Sequence, residues 1–178
     1  DGGDVAALMK NADIVMYHAK ELGRNNYQFY AEEMNQRMLH RAQLERELRA
    51  ALENQEFVLY YQPQVIVATG EIRGAESLIR WKHPTRGIVS PVEFIPVAEE
   101  TGLIVPLGEW ILDHACQTIK YWHEHGVAIP YVVVNVSAGQ LGDGLVTLVR
   151  NALVKHGIAA NWLMLEITET MLMEQVDE

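Results

Sequence analysis

The spacing of apolar positions changes period along this chain. In the first 30 residues, Leu8, Ala12, Val15, Met16 and Ala19 recur at helical spacing, and Gly23 follows as a stop signal. Tyr27 and Phe29 then alternate with polar neighbours, which predicts a short strand. Residues 31–55 lack Gly and Pro and are rich in strong helix formers. Met34, Met38, Leu44, Leu48 and Leu52 trace a partial stripe there, and Glu45 and Arg49 form a favourably oriented i,i+4 pair. This pattern predicts a solvated connecting helix.

From residue 56 onward, strand and helix patterns alternate. Strands are predicted at 57–62 (FVLYYQ), within 71–81 (EIRGAESLIRW), at 131–137 (YVVVNVS) and at 162–168 (WLMLEIT). Helices are predicted at 91–101, with Ser90 as cap and Pro91 in the first turn, at 107–124, at 143–156 and again after 168. The alternation argues for parallel βα units, and strands this apolar suit a sheet covered on both faces.

Charge adds to this picture. The 178 residues carry 14 Lys plus Arg against 24 Asp plus Glu, a net charge of −10. Residues 1–56 hold 7 basic and 10 acidic side chains, and residues 57–178 hold 7 and 14, so the βα region carries the larger acidic excess. Such a chain is a poor candidate for binding a nucleic-acid polymer, which needs clustered cations. An anionic ligand here would need metal ions or a few placed cations. The single cysteine, Cys116, excludes an internal disulfide or a cysteine zinc site within one chain and fits a reducing cytoplasmic compartment. The most apolar stretch, residues 102–112, is broken by Pro106 and Glu109 and is too short to span a membrane. The chain opens on Asp1 rather than Met and closes on a helical pattern at 171–178, as expected of an internal piece of a longer protein whose other domains could be membrane-anchored.

In parallel βα architectures, functional groups gather at the carboxyl ends of strands. Polar residues that interrupt apolar strands are therefore the candidates: Gln62, Glu76, Asn135 and Glu166, with Glu169 one helical turn on. A carboxylate in an apolar strand is costly unless it is paired or holds a metal. Two carboxylates and an amide are hard oxygen ligands suited to Mg²⁺ or Mn²⁺. Local hydrogen bonding or exposure at a strand end would explain each of them singly. His123 and His125 sit two apart on a helix and face different ways. Trp110 and Trp122 fit packing roles, and Cys116 fits an inert buried thiol.

Several blocks in order carry a family resemblance: YYQP at 60–63, Glu76-Ser77-Leu78 followed by Ile79-Arg80-Trp81, PVEFIPVAEETGLI at 91–104, VNVSAGQL at 134–141 and LEITET at 165–170. Residues 55–178 resemble the first half of the EAL family of cyclic di-GMP phosphodiesterases, with Ser77 where the family's name has alanine. Upstream, ADIVMYHAKELGRNNYQFY at 12–30 resembles the last helix and strand of a GGDEF diguanylate cyclase domain. The Gly2-Gly3-Asp4 string lacks the Glu-Phe continuation and is read as a turn.

The resemblance implies a partial TIM-like (β/α) barrel of α/β class at 55–178, a connecting helix at 31–54 and a GGDEF tail at 1–30. It implies that Glu76, Asn135 and Glu166 ligate divalent metal, with Glu76 and Glu169 catalytic, the latter by holding a nearby loop. Gln62, Leu78 and Arg80 would contact the ligand, Arg80 through its planar fork to phosphate. The implied reaction is hydrolysis of cyclic di-GMP to linear pGpG, assisted by two divalent ions, Mg²⁺ or Mn²⁺. The family continues with an Asp-Asp-Phe-Gly loop, a Lys and a late Glu that do not occur here, so residues 1–178 alone are expected to be inactive. Implied partners are the GGDEF domain, the rest of the barrel and a second copy in a homodimer. A degenerate domain that senses cyclic di-GMP without cleaving it, or serves as a regulatory partner, is the alternative.

Overall fold

The structure, a computed structural model, describes residues 4–21, 25–141 and 143–167. The chain divides into two compact units, 1–47 and 48–178.

In the first unit, helix α1 spans Val5–Glu21. Asp4 opens it, its Oδ1 accepting the Ala7 amide at 2.7 Å, as an N-terminal cap does. The strand expected at Tyr27 and Phe29 is absent. Residues 26–30 are irregular, and the two rings are each 80% exposed while meeting edge to face at 5.7 Å. Alternation alone cannot make a strand, because its backbone groups need a neighbouring strand. Among the described residues none lies beside it. Helix α2, Glu32–Glu53, crosses the boundary between the units. Its polar face is laced by bonds such as Gln43 Nε2 to Glu47 Oε1 at 2.8 Å. Leu44, Leu48 and Ala51 form its buried stripe, narrower than the sequence predicts, since Met38 is exposed.

The second unit is built on a five-stranded sheet: β1 (Phe57–Val65), β2 (Ile72–His83), β3 (Gly87–Val89), β4 (Val132–Val136) and β5 (Leu163–Ile167). The order is β1-β2-β4-β5, with β3 paired to β2. β2, β4 and β5 are parallel, as expected. β1 and β2 instead form an antiparallel hairpin, with Phe57 opposite Trp81 and Gln62 opposite Glu76. The physical reason lies in the connection. A turn at 67–69 links these strands, whereas a parallel pair needs a crossover of a dozen residues or more.

Three helices complete the unit: α3 (Pro91–Glu100), α4 (Ile104–Glu124) and α5 (Asp143–His156). Pro91 occupies the first turn of α3 as predicted. Ser90 is at the cap position but makes no side-chain cap bond; its carbonyl accepts the Glu93 amide at 3.0 Å instead. α4 begins three residues earlier than its pattern suggests, and Pro106 is accommodated in its first turn, where no intrahelical donor is needed. Leu107, Ile111, Leu112, Ala115, Cys116 and Ile119 make its buried stripe.

The helices cover one sheet face. Strand alternation sends Ala75, Ser77, Ile79 and Trp81 of β2 to that face, where all are buried. Trp81 meets Phe94 of α3 edge to face at 5.8 Å, Phe57 lies 6.0 Å from Trp110, and Tyr61 lies 4.8 Å from Trp122. Trp110 and Trp122 are thus packing residues. Gly74 is required by close approach: a Cβ there would fall 2.7 Å from Cδ2 of Tyr131. No described helix is long and apolar enough to cross a membrane.

Candidate functional site

The opposite face of the sheet gathers the candidates. Residues paired across a ladder share a face, so the register places Glu76, Leu78 and Arg80 of β2 beside Gln62, Tyr60 and Val58 of β1. Val133 and Asn135 of β4 follow, then Met164 and Glu166 of β5. Glu76, Leu78 and Arg80 are half-buried, whereas Gln62, Asn135 and Glu166 are exposed.

Direct contact joins two candidates. Asn135 Nδ2 donates to Glu76 Oε1 at 2.7 Å across the β2–β4 pair. Glu166 stands in register with Asn135 on the next strand. Asn135 and Glu166 lie one residue before the ends of their strands, as expected. Glu76 does not: β2 runs on to His83 because its last residues pair with β3. Gln62 likewise lies inside β1, which continues to Val65. It reaches the site because the antiparallel register sets it opposite Glu76. Glu169 lies outside the described residues.

Arg80 Nη1 donates to the Ile79 carbonyl at 2.7 Å, and its guanidinium lies 5.8 Å from the centre of the Tyr60 ring. Sequence reasoning passed over Tyr60. The available signal was parity: Tyr60 and Gln62 are two apart in one strand and so share a face.

The donor set fits a divalent cation. Neighbouring strands lie about 4.8 Å apart, so Asn135 of β4 stands between Glu76 of β2, which it bonds, and Glu166 of β5, with which it is in register. The bond to Glu76 uses the Asn135 amide nitrogen and leaves its oxygen as an acceptor. Two carboxylates and an amide oxygen match the preferences of Mg²⁺ and Mn²⁺. Among the described residues no group of three or more His, Cys, Asp or Glu could hold a metal; the candidate set has two carboxylates and one amide.

The two histidines near the end of α4 are engaged elsewhere. His123 stacks on Trp162 at 3.6 Å and bonds the Ile129 carbonyl, whereas His125 stacks on Tyr121 at 4.0 Å. They serve separate local contacts. Cys116 is fully buried, and burial, with Asp113 adding to it, pushes its thiol up to about 11. Burial likewise pushes the Tyr61 phenol up to about 12.

This arrangement, a parallel-rich α/β sheet with acidic and amide side chains on one face, agrees with comparison to known proteins. The EAL domain model matches residues 45–178, and the chain belongs to that family. It is 46% identical over 178 residues to the bifunctional diguanylate cyclase/cyclic di-GMP phosphodiesterase MucR of Pseudomonas aeruginosa, covering 99% of this chain and 26% of that protein. It is 40% identical over 174 residues to the cyclic di-GMP phosphodiesterase PdeR of Escherichia coli, covering 97% of this chain and 26% of that protein. The chain thus spans about a quarter of the length of these curated relatives.

Solved structures agree. The MucR phosphodiesterase in complex with c-di-GMP superposes with a TM-score of 0.72 at 46% identity, covering 76% of this chain and 55% of that one. The EAL enzyme Bd1971 bound to cAMP and cyclic-di-GMP gives 0.72 at 26% identity, covering 96% and 45%. The sheet therefore has the TIM-like architecture of EAL domains.

Proposed function

We propose that the protein binds cyclic di-GMP on the Glu76 face of the sheet and hydrolyses one phosphodiester bond to release linear pGpG. The observation that carries this reading is the Asn135–Glu76 hydrogen bond of 2.7 Å, with Glu166 in register beside it. The relatives named as cyclic di-GMP phosphodiesterases and the c-di-GMP complex of the MucR domain support the ligand.

Glu76, Asn135 and Glu166 would hold divalent ions, Mg²⁺ or Mn²⁺. Bound there, such ions supply Lewis-acid polarisation of the phosphodiester and acidify the attacking water. Glu76 is held by Asn135, which limits its rotamers before any ion arrives. Arg80 presents a planar fork on the same face and suits a phosphate oxygen pair. Leu78 offers an apolar contact, and Gln62, opposite Glu76, offers an amide for a base edge. Glu169 would order a neighbouring loop. We further read 1–30 as the tail of a GGDEF domain and 31–54 as a connecting helix; the MucR match, which runs through this region, supports both.

The test is chromatographic. Full-length protein incubated with cyclic di-GMP and Mg²⁺ or Mn²⁺ should yield pGpG, and Glu76→Gln should reduce the yield to background. Binding without turnover would leave a sensor, and near-normal turnover by Glu76→Gln would remove that residue from the site. Arg80→Lys keeps the charge and loses the fork, so calorimetry should show weakened ligand affinity with metal affinity retained.

A further inference from the structure

We propose that Ser77, the middle residue of the Glu76-Ser77-Leu78 string, is a positioning residue that sets the spacing of Glu76 and Asn135. The proposal rests on the metal-site reading above. Ser77 points to the helix-covered face, is 5% exposed, and is the polar side chain among the buried described residues. A hydroxyl in that layer is unfavourable unless bonded. Its Oγ donates to the Val133 carbonyl at 2.8 Å.

Val133 is no arbitrary acceptor. It stands directly opposite Glu76 in the ladder and two residues before Asn135. One side-chain bond, from Ser77, therefore ties β2 to β4 on the helix face, and another, Asn135 to Glu76 at 2.7 Å, ties them on the site face. The parallel pairing of these strands extends over only Ala75, Glu76 and Ser77 against Val132, Val133 and Val134. In so short a ladder each added bond weighs heavily on the separation and twist of the strands. Metal ligands need their spacing held to a fraction of an ångström. An alanine in this position, as in the family's name, has no hydroxyl to make the second tie.

The experiment is a titration of the full-length protein with Mn²⁺ alone, free ion read by electron paramagnetic resonance, without nucleotide. Ser77→Thr and Ser77→Val have nearly the same shape and differ in hydroxyl against methyl, so strain from the extra branch is common to both. Ser77→Val should raise the Mn²⁺ Kd about fivefold, the equivalent of one neutral hydrogen bond, while Ser77→Thr stays within about twofold of the parent. Ser77→Ala, which adds no volume, should move with Ser77→Val and serves if the branched variants misfold. A hydroxyl that merely satisfies itself would shift the melting temperature and leave the Mn²⁺ Kd equal in all variants, which overturns the proposal. Glu76→Gln separates the two readings. If it loses Mn²⁺ while Ser77→Val and Ser77→Ala keep it, the positioning role alone falls. If it binds Mn²⁺ as the parent does, the metal site falls and this inference with it.

Discussion

The hairpin that sets Gln62 opposite Glu76 is held at its far end by an indole. Trp81 is fully buried, and its Nε1 donates to Glu56 Oε2 at 2.9 Å, one residue before β1 begins. The Lys82 amide reinforces this tie by bonding the Glu56 carbonyl at 2.7 Å. A hydrogen bond to a charged acceptor contributes about 1.5–3 kcal/mol. Glu56 is only half-buried, so water competes and the lower end, about 1.5 kcal/mol, applies. A double-mutant cycle isolates it. Glu56→Ala strands the indole N–H in the core, Trp81→Phe releases the carboxylate to water at the cost of ring contacts with Phe94 and Phe57, and the double variant removes both partners. Native-state hydrogen exchange at the β1 and β2 amides reads the opening free energy of this hairpin directly. Each single variant should speed exchange, and the double variant should fall short of the sum by about 1.5 kcal/mol, roughly tenfold in rate. Additivity within about 0.3 kcal/mol would show that the bond contributes nothing net and that packing alone sets the register.

Asp113 should give α4 and α5 a pH-dependent tie. Burial raises its carboxyl, but hydrogen bonds from Lys155 and His156, both at 2.7 Å to Oδ1, together with their charges, hold it below the usual carboxylate range. A depressed folded-state pKa stabilises above the unfolded value and is lost as pH falls through the folded one. Asp113→Asn should thus cost under about 1 kcal/mol at neutral pH for so accessible a pair, and the deficit should close below about pH 4; a deficit independent of pH and salt would refute the ion-pair account. The polypeptide 1–178 made alone should self-associate, because Tyr60, Met164 and Ile167 on the sheet are 50%, 43% and 38% exposed and β5 lies at the edge of the described sheet. Light scattering after size exclusion checks this, and a monodisperse monomer with a cooperative melt would overturn it.

Local periodicity was enough to place most elements, since burial on one face imposes spacing on neighbours in sequence. Helix α5 falls at the predicted 143–156, and the strands around Glu76, Asn135 and Glu166 are where alternation and β-branching put them. The candidate site was legible for the same reason: a polar residue in an apolar strand is conspicuous without coordinates. What the sequence did not determine depends on partners distant along the chain. Pairing decided that Tyr27 and Phe29 make no strand, that β1 runs antiparallel to β2, and that β3 extends β2 past Arg80. Side-chain aim decided that Ser90 makes no cap bond, that Tyr60 lies under Arg80, and that Ser77 ties itself to Val133, 56 residues away. A hydrogen-bond donor is visible in one dimension, but its acceptor is chosen only when the strands meet.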